Sequence, residues 1–193
     1  MMASISPAYI PAVNFAHSVS SDDTDSAGIL HHLAYSRMGT KSKVIQLTSS
    51  KITKGNLETL TSLANTDVVA ADKQSSGGPA FFQIDFLKER LVRLEGYLLQ
   101  WTGVMGRFGY PLQWVVDMSP DGVSWKQVGK EQLKSTAKTS QYWEAKEKIL
   151  GRYLRISLLG TNSAENHMLC LSGIELYGDL YSSLPLDDQY AYI

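Results

Sequence analysis

Few residues of the chain have the types and spacing that metal binding requires. His31 and His32 are adjacent, so on a helix they point in different directions, and no Cys, Asp or Glu follows at ligand spacing. The acidic run at 22–25 lacks the later Gly and the bidentate Glu of an EF-hand calcium loop. We therefore predict no metal site and no cofactor.

Nucleophilic catalysis is not indicated either. The sequence has no Gly-x-Ser-x-Gly elbow, and nothing in it fixes a base beside a nucleophile. The single cysteine, Cys170, lies between Leu169 and Leu171, and a thiol buried on an apolar strand has a raised pKa and is inert. We predict that the chain is not an enzyme.

The segment best suited to binding is the loop 101–110. It places large apolar side chains and an arginine between three glycines, and Met, aromatic residues and Arg are the types that interface centres favour. Such side chains are costly to leave in water, so the alternative that Phe108 and Tyr110 fold back onto the core stays open. Loops 51–56 and 72–79 would add charges at the rim. The predicted binding residues are Lys54, Asn56, Lys73, Trp101, Met105, Arg107, Phe108 and Tyr110.

The charge distribution separates a basic body from acidic ends. All 18 Lys and Arg residues lie between residues 37 and 155, and 13 of the 19 acids lie within 37–178, which gives that stretch a formal charge of +5. A basic body can face an acidic partner. An aromatic tail could anchor on the same partner through Tyr181, Tyr190 and Tyr192.

Short alternating segments predict the strands that position these loops. Phe82, Ile84 and Phe86 share one face of a strand, and similar patterns recur over 91–101, 112–118, 151–158 and 169–178. No alternation of strand and helix patterns appears, so we predict an antiparallel β-sandwich. Its two layers should enclose Phe82, Ile84, Phe86, Trp114, Val116, Leu154, Ile156 and Leu176.

One short helix is predicted before the sandwich. Ile29, Leu33 and Tyr35 have near-helical spacing, with Ser26 as a possible cap and Gly39 as a possible end. We therefore divide the chain into an N-terminal arm (1–27), a β-sandwich domain (28–178) and a C-terminal tail (179–193).

In chain order these segments resemble a discoidin domain, also called the coagulation factor 5/8 type C domain. The resemblance covers about residues 28–178 and depends most on Ser119–Trp125, Ser-Pro-Asp-Gly-Val-Ser-Trp, and on Gly173–Gly178, Gly-Ile-Glu-Leu-Tyr-Gly. It implies a galactose-binding-like jelly-roll and a non-enzymatic binding role, with ligands held by loops at one end. Ligands in the family are glycans, anionic phospholipids, collagen or other proteins. The lead-in Gly28–Leu33 is similar to that of intracellular members found in some protists.

These features lead to an expected function and location. One cysteine cannot form the disulfide that secreted members often have, and the N-terminus lacks the features of a secretory signal, so we expect a cytoplasmic protein, with the cytoskeleton or a cilium as candidate places. We expect a protein-binding scaffold in a multi-subunit assembly, with an acidic filament such as a microtubule as one candidate partner. The alternative is a glycan- or anionic-phospholipid-binding module. No basic stripe indicates nucleic acid, and no run of 18 apolar residues predicts a membrane span.

Overall fold

Strands dominate the structure, which is a computed structural model describing residues 10–17, 28–35, 44–133 and 138–182. Successive side chains of a strand point to opposite faces, so the alternating segments can each bury one face. Two short 3-10 helices, Leu57–Thr61 and Gly106–Phe108, lie in the connections. The other elements are β1 (Ile10–Phe15), α1 (Ile29–Tyr35), β2 (Gln46–Ser49), β3 (Lys51–Lys54), β4 (Val69–Asp72), β5 (Phe81–Asp85), β6 (Arg90–Gln100), β7 (Gln113–Ser119), β8 (Lys126–Gln132), β9 (Ser140–Glu144), β10 (Leu150–Gly151), β11 (Tyr153–Leu158), β12 (Leu169–Leu171) and β13 (Gly173–Ser182).

The described strands form three antiparallel sheets. Sheet A has the order β1-β13-β6-β10, with β9 also paired to β6, and sheet B has the order β2-β5-β11-β7-β8. Sheet C is smaller and has the order β12-β4-β3. The prediction of an all-β antiparallel jelly-roll sandwich is confirmed.

The core lies where the sequence pattern places it. All eight predicted core residues are at most 1% exposed and belong to one apolar cluster. Trp114 from β7 and Leu176 from β13 both lie in this cluster, so strands of sheets B and A enclose one shared interior. This shared interior fixes the relative position of the loops that connect the two layers.

The predicted short helix is α1. Ile29, Leu30 and Leu33 are buried, while the predicted cap Ser26 and end Gly39 lie outside the described residues. The backbone N–H groups of Leu30 and His31 donate to the buried carboxylate of Glu175, over 2.7 and 3.0 Å. Because β13 carries this carboxylate, α1 is attached to sheet A. Within the described ranges no helix is long and apolar enough to cross a bilayer.

Four connections lie together at one end of the sandwich, which we call the loop end and define as residues 50–56, 73–80, 101–112 and 159–168. The strand registers place them there, since Gln100 pairs with Gly173, Leu158 with Trp114, and Ser49 with Phe82. The turn 119–125 follows the opposite end of β7 and is therefore far from the loop end.

The terminal arms differ from the prediction in two places. Ile10–Phe15, expected to lie in an arm, form β1, which pairs with β13. The last strand does not stop at 178 but continues to Ser182, because its final residues pair with both β1 and the start of β6. The pairing of β1 joins segments more than 160 residues apart, so it leaves no local sequence signal.

The segment predicted as one strand over 169–178 is two strands. Leu169–Leu171 pair with β4 in sheet C, whereas β13 pairs with β6 in sheet A. The chain changes sheet at Ser172, whose backbone N–H donates to the carbonyl of Gln100 over 2.8 Å. A single alternating strand would have kept all ten residues in one sheet.

Asp179 makes the attachment of β1 dependent on pH. Its carboxylate accepts hydrogen bonds from the side chains of Asn14 on β1 and Arg93 on β6. The hydrogen bond from Asn14, followed by that from Arg93, holds the pKa of Asp179 below its usual value despite partial burial. A carboxyl whose folded pKa is depressed stabilises the fold above the unfolded pKa, about 4, and this contribution is lost as the pH falls through the folded pKa.

We therefore expect Asp179→Asn to lower the free energy of unfolding by about 1 kcal/mol at pH 7. The difference from wild type should shrink as the pH falls below about 4 and the wild-type carboxyl becomes protonated. Urea unfolding across this range measures it, with Asp67→Asn at an exposed loop carboxylate as the control. A difference that is constant with pH would contradict the role assigned to the charge.

Candidate functional site

A half-buried phenylalanine forms the centre of the loop end. Phe108 ends the short 3-10 helix that follows Met105, and its N–H donates to the carbonyl of Met105 over 3.2 Å. Its ring packs against a small apolar cluster of Val68, Ala70 and Cys170, which is separate from the main core. The ring is therefore anchored on one part of its surface, and the rest faces outward.

Two exposed cations cover the outward part of this ring. The Lys54 Nζ atom lies 4.6 Å from the ring centroid of Phe108, and the Arg107 guanidinium carbon lies 4.8 Å from it. Both distances are within the range of cation–π attraction, which is weak at exposed sites. Lys54 comes from sheet C and Arg107 from the loop after β6, so the ring brings together two segments that are distant in sequence.

A buried asparagine holds the neighbouring loop in place. Asn162 is 1% exposed, and its side-chain amide donates to Asn166 Oδ1 (2.7 Å) and to the carbonyl of Met168 (3.0 Å), while its Oδ1 accepts from the N–H of Ala164 (2.9 Å). The side chain of Asn166 in turn donates to the carbonyl of Arg107 over 2.8 Å. The loop 159–168 is thus tied directly to the segment that carries Arg107.

The two loops approach so closely that one position requires glycine. A Cβ atom on Gly109 would lie 2.4 Å from the backbone nitrogen of Ala164. Next to this contact the N–H of Ser163 donates to the carbonyl of Tyr110 over 3.0 Å. Met105, Glu165 and His167, which belong to the same two loops, have exposed side chains.

The structure brings together part of the predicted binding set. Lys54, Arg107 and Phe108 are in contact, and Met105 is 73% exposed on the adjoining turn. Lys73 is exposed in the connection after β4, with no described contact to this group. Segment 51–54 was predicted to be part of a loop, but it forms the edge strand β3, in which every residue is exposed. Lys54 therefore projects from a strand that β4 supports.

Two predicted residues have structural roles instead. Trp101 is 4% exposed and belongs to the main core. Its backbone N–H donates to the carbonyl of Thr139 over 2.7 Å, which continues the pairing of sheet A beyond β6. Tyr110 is half-buried and packs on the same core. The alternative of folding back therefore holds for Tyr110, while Phe108 packs on the smaller cluster.

The remaining predicted residues lie outside this group. Asn56 caps the 3-10 helix that begins at Leu57, with its Oδ1 accepting from the N–H of Glu58 over 3.1 Å. Tyr181 is part of β13 rather than of a tail, and its hydroxyl donates to Asp179 over 3.5 Å. Tyr190 and Tyr192 lie outside the described residues.

The chemistry available at the loop end is binding chemistry. Burial raises the pKa of the nearby Cys170 thiol to about 12, so it is protonated and unreactive at neutral pH. Across the described parts of the chain, no group of three or more His, Cys, Asp or Glu residues is placed to hold a metal ion. The surface combines an aromatic ring (Phe108), two exposed cations (Lys54 and Arg107), an amide (Asn166) and a thioether (Met105). This combination suits a polar ligand with an apolar face.

The loop 159–168 is the part of the site that sequence analysis missed. Its polar run, Asn-Ser-Ala-Glu-Asn-His over 162–167, connects two strands and so had to lie at one end of the sandwich. Asparagine side chains often organise such turns by bonding to nearby backbone groups. Two asparagines four residues apart in a long connection were the available signal.

The fold defines a class, the antiparallel β-sandwich domains, and in this chain the candidate site lies on loops at one end of the sandwich. Residues 40–172 match the family model of the F5/8 type C domain, and the chain belongs to this family. No curated protein matches the chain in sequence.

Several solved structures share the fold at low sequence identity. CpGH89CBM32-5 from Clostridium perfringens, in complex with GalNAc-β-1,3-galactose, has a TM-score of 0.56 and 6% identity over 69% of this chain and 95% of its own. The family 32 CBM of C. perfringens NanJ, in complex with galactose, gives 0.54 and 8% over 69% and 93%. The CBM32 of AlyQ, in complex with 4,5-unsaturated mannuronic acid, gives 0.53 and 16% over 68% and 93%.

These neighbours overturn the expected main function. They are carbohydrate-binding modules solved with sugars, so the protein-scaffold prediction, including a microtubule partner, was wrong, and the glycan alternative is better supported. One neighbour is a complete family 89 glycoside hydrolase from C. perfringens, of which the match covers only 14%. The rest of that enzyme lies outside the matched region.

Proposed function

We propose that this chain is a non-catalytic glycan-binding module that holds its ligand at the loop end. The observation that carries the proposal is the joining of a partly exposed aromatic ring, Phe108, with the cationic groups of Lys54 and Arg107. The solved neighbours support the choice of ligand class, because their ligands are galactose, GalNAc-galactose and mannuronic acid.

The chemistry of a sugar ring fits this arrangement. One face of a pyranose is lined with C–H groups and can lie against an aromatic ring, whose face carries negative charge. The hydroxyl groups at the edge of the sugar both donate and accept, so they match amide and ammonium groups at the rim of a site. At the loop end, Phe108 supplies the ring, and Lys54 and Arg107 supply the rim.

Rigid support makes weak contacts more effective. Ordering flexible side chains on binding costs affinity, so a site held in shape before the ligand arrives binds more tightly. Here the hydrogen bonds of Asn162 and Asn166 fix the loop 159–168 against Arg107. The apolar cluster beneath Phe108 fixes the ring.

Truncating the ring tests the proposal. We expect Phe108→Ala to weaken binding to the best glycan by about 5- to 30-fold, because a half-buried phenylalanine contributes about 1–2 kcal/mol of apolar contact. A glycan array identifies the ligand, and isothermal titration calorimetry measures the change in affinity.

Phe81 offers a matched control. Its ring is also half-buried, and the Arg155 guanidinium carbon lies 4.9 Å from its centroid. It begins β5 in sheet B and makes no described contact with Phe108. Phe81→Ala should therefore leave glycan affinity unchanged. Equal losses for the two variants would place the ligand elsewhere, and an array with no binding at all would remove the proposed function.

A further inference from the structure

We infer that the loop end selects acidic glycans, those bearing carboxylate or sulfate groups, over neutral ones. This inference rests on the proposed function and names the ligand class of the same site.

The cations at the loop end have no ion-pair partners among the residues that the structure describes. Lys51, Lys54, Lys73 and Arg107 are all exposed, and none of them forms a salt bridge in that part of the chain. Four other basic residues of the domain, in contrast, form ion pairs over short distances. These pairs are Lys126–Glu147 (2.6 Å), Lys146–Glu131 (3.0 Å), Lys148–Glu95 (2.8 Å) and Arg152–Asp85 (2.7 Å).

The acids near these cations do not neutralise them. Asp72 pairs with Lys51 in the backbone register of β4 and β3, but its carboxylate accepts from the N–H of Lys73 over 2.8 Å. Glu165 is exposed in the loop tied to Arg107 and forms no described ion pair with Lys54 or Arg107. The loop end therefore keeps unpaired positive charge next to an aromatic ring.

An anionic ligand would draw Lys54 and Arg107 away from the ring of Phe108, because both cations can exchange their cation–π contacts for hydrogen bonds to an acidic group. Lys54 and Arg107 rest against Phe108 at 4.6 and 4.8 Å, an attraction that is weaker at exposed sites than a charge-assisted hydrogen bond to carboxylate or sulfate. The planar guanidinium of Arg107 can bind both oxygens of a carboxylate, which a lysine cannot do in the same geometry. Turning the cations towards the acid would also open the ring of Phe108 to the sugar.

The discriminating experiment uses pairs of ligands in which one member carries the acidic group and the other has it esterified or removed. Galacturonic acid trimers are compared with their methyl esters, and sulfated galactosides with their desulfated forms, in calorimetric titrations of the full chain. We expect the best acidic ligand to bind about tenfold tighter than its neutral partner in about 50 mM NaCl, with a much smaller difference in about 500 mM, where charges are screened.

Single neutralising variants locate the effect. Lys54→Gln and Arg107→Gln should each weaken the acidic ligand about three- to tenfold more than they weaken its neutral partner. Lys126 is an exposed residue of β8 that forms an ion pair with Glu147, and Lys126→Gln should change the affinity for neither ligand. Thermal unfolding of each variant checks that the fold is retained.

The outcomes separate this inference from the proposed function. Glycan binding with equal affinity for acidic and neutral partners would overturn the acidic preference and leave a glycan module. Absence of binding to every glycan would remove both. Binding to phosphatidylserine vesicles that depends on Lys54 and Arg107, without binding to acidic glycans, would overturn the inference in favour of a lipid headgroup.

Discussion

Replacing Trp114 by alanine should lower the free energy of unfolding by about 3–5 kcal/mol, which is a large part of the stability of a typical domain. Trp114 is fully buried on β7, which lies between β11 and β8 in sheet B, and it pairs with Leu158 on β11 and Glu131 on β8. Its ring lies 4.9 Å from that of Trp143 at 80°, the edge-to-face arrangement that aromatic pairs favour.

The loss would extend to the layer facing Trp114. Trp143 belongs to sheet A and also contacts Tyr97 and Trp101, with ring centroids at 5.8 and 6.2 Å. Removing the indole therefore opens a cavity between the two sheets, and a cavity adds to the lost apolar transfer energy. Urea unfolding followed by far-ultraviolet circular dichroism measures the change.

Two variants calibrate this result. Trp114→Phe keeps most of the ring volume and should cost markedly less than alanine. Trp125→Ala makes the same chemical change at a half-buried ring in the turn at the far end, where the main contact is the Arg155 guanidinium at 4.1 Å, and should cost about 1 kcal/mol. Similar losses for Trp114→Ala and Trp125→Ala would show that the shared interior is not the main source of stability.

The core was predictable because it depends on local alternation. Phe82, Ile84 and Phe86 are separated by polar or charged residues, and burying one face of such a strand leaves a single consistent register. The same holds for Trp114 and Val116 on β7. Eight residues chosen by this rule all lie in one buried cluster.

The change of sheet at Ser172 had a signal that was overlooked. Leu169 and Leu171 are two residues apart, but the next inward residue, Ile174, is three residues further on, so the alternation shifts by one position. In an unbroken strand such a shift would turn the second half to the opposite face. Here the shift accompanies the passage from sheet C to sheet A.

The site was only partly predictable, because residue type does not decide exposure. Trp101 and Phe108 are both large aromatic residues in the same connection, yet Trp101 is buried in the core and Phe108 faces outward in part. The difference lies in tertiary packing, since the Trp101 ring packs in the main core with its centroid 6.2 Å from that of Trp143, whereas Phe108 packs on the small cluster. The contact of Lys54 with Phe108 likewise depends on tertiary structure.

The second large effect is expected at Glu175, where we predict a loss of about 3 kcal/mol or more on substitution by alanine. The carboxylate is fully buried and accepts from the N–H groups of Leu30 (2.7 Å), His31 (3.0 Å) and Leu176 (2.8 Å). Alanine would leave these donors without their acceptor in a buried place, which costs more than the net value of the bonds. Hydrogen exchange at Leu30 and His31 should accelerate most.

Gly28 gives this prediction a sharper form. A Cβ atom on Gly28 would lie 2.3 Å from both Cγ and Cδ of Glu175, so Gly28→Ala should destabilise the wild-type chain by about 1–3 kcal/mol. In the Glu175→Ala chain those two carbons are gone, and the added methyl group can occupy the space. The double variant should therefore lose about 1–3 kcal/mol less than the sum of the single losses.

Glu175→Gln distinguishes a steric clash from an effect of charge. Glutamine keeps the Cγ and Cδ atoms, so Gly28→Ala should destabilise the Glu175→Gln chain as much as it destabilises wild type. The glutamine itself weakens the hydrogen bonds at this position, because it places an NH₂ donor against backbone N–H donors. Urea unfolding of the six chains gives both couplings. If Gly28→Ala lowered the free energy of unfolding by the same reduced amount in the Glu175→Ala and Glu175→Gln chains, a steric clash with Cγ and Cδ would not explain its effect in wild type. The position of α1 would then depend on contacts other than its close packing against β13.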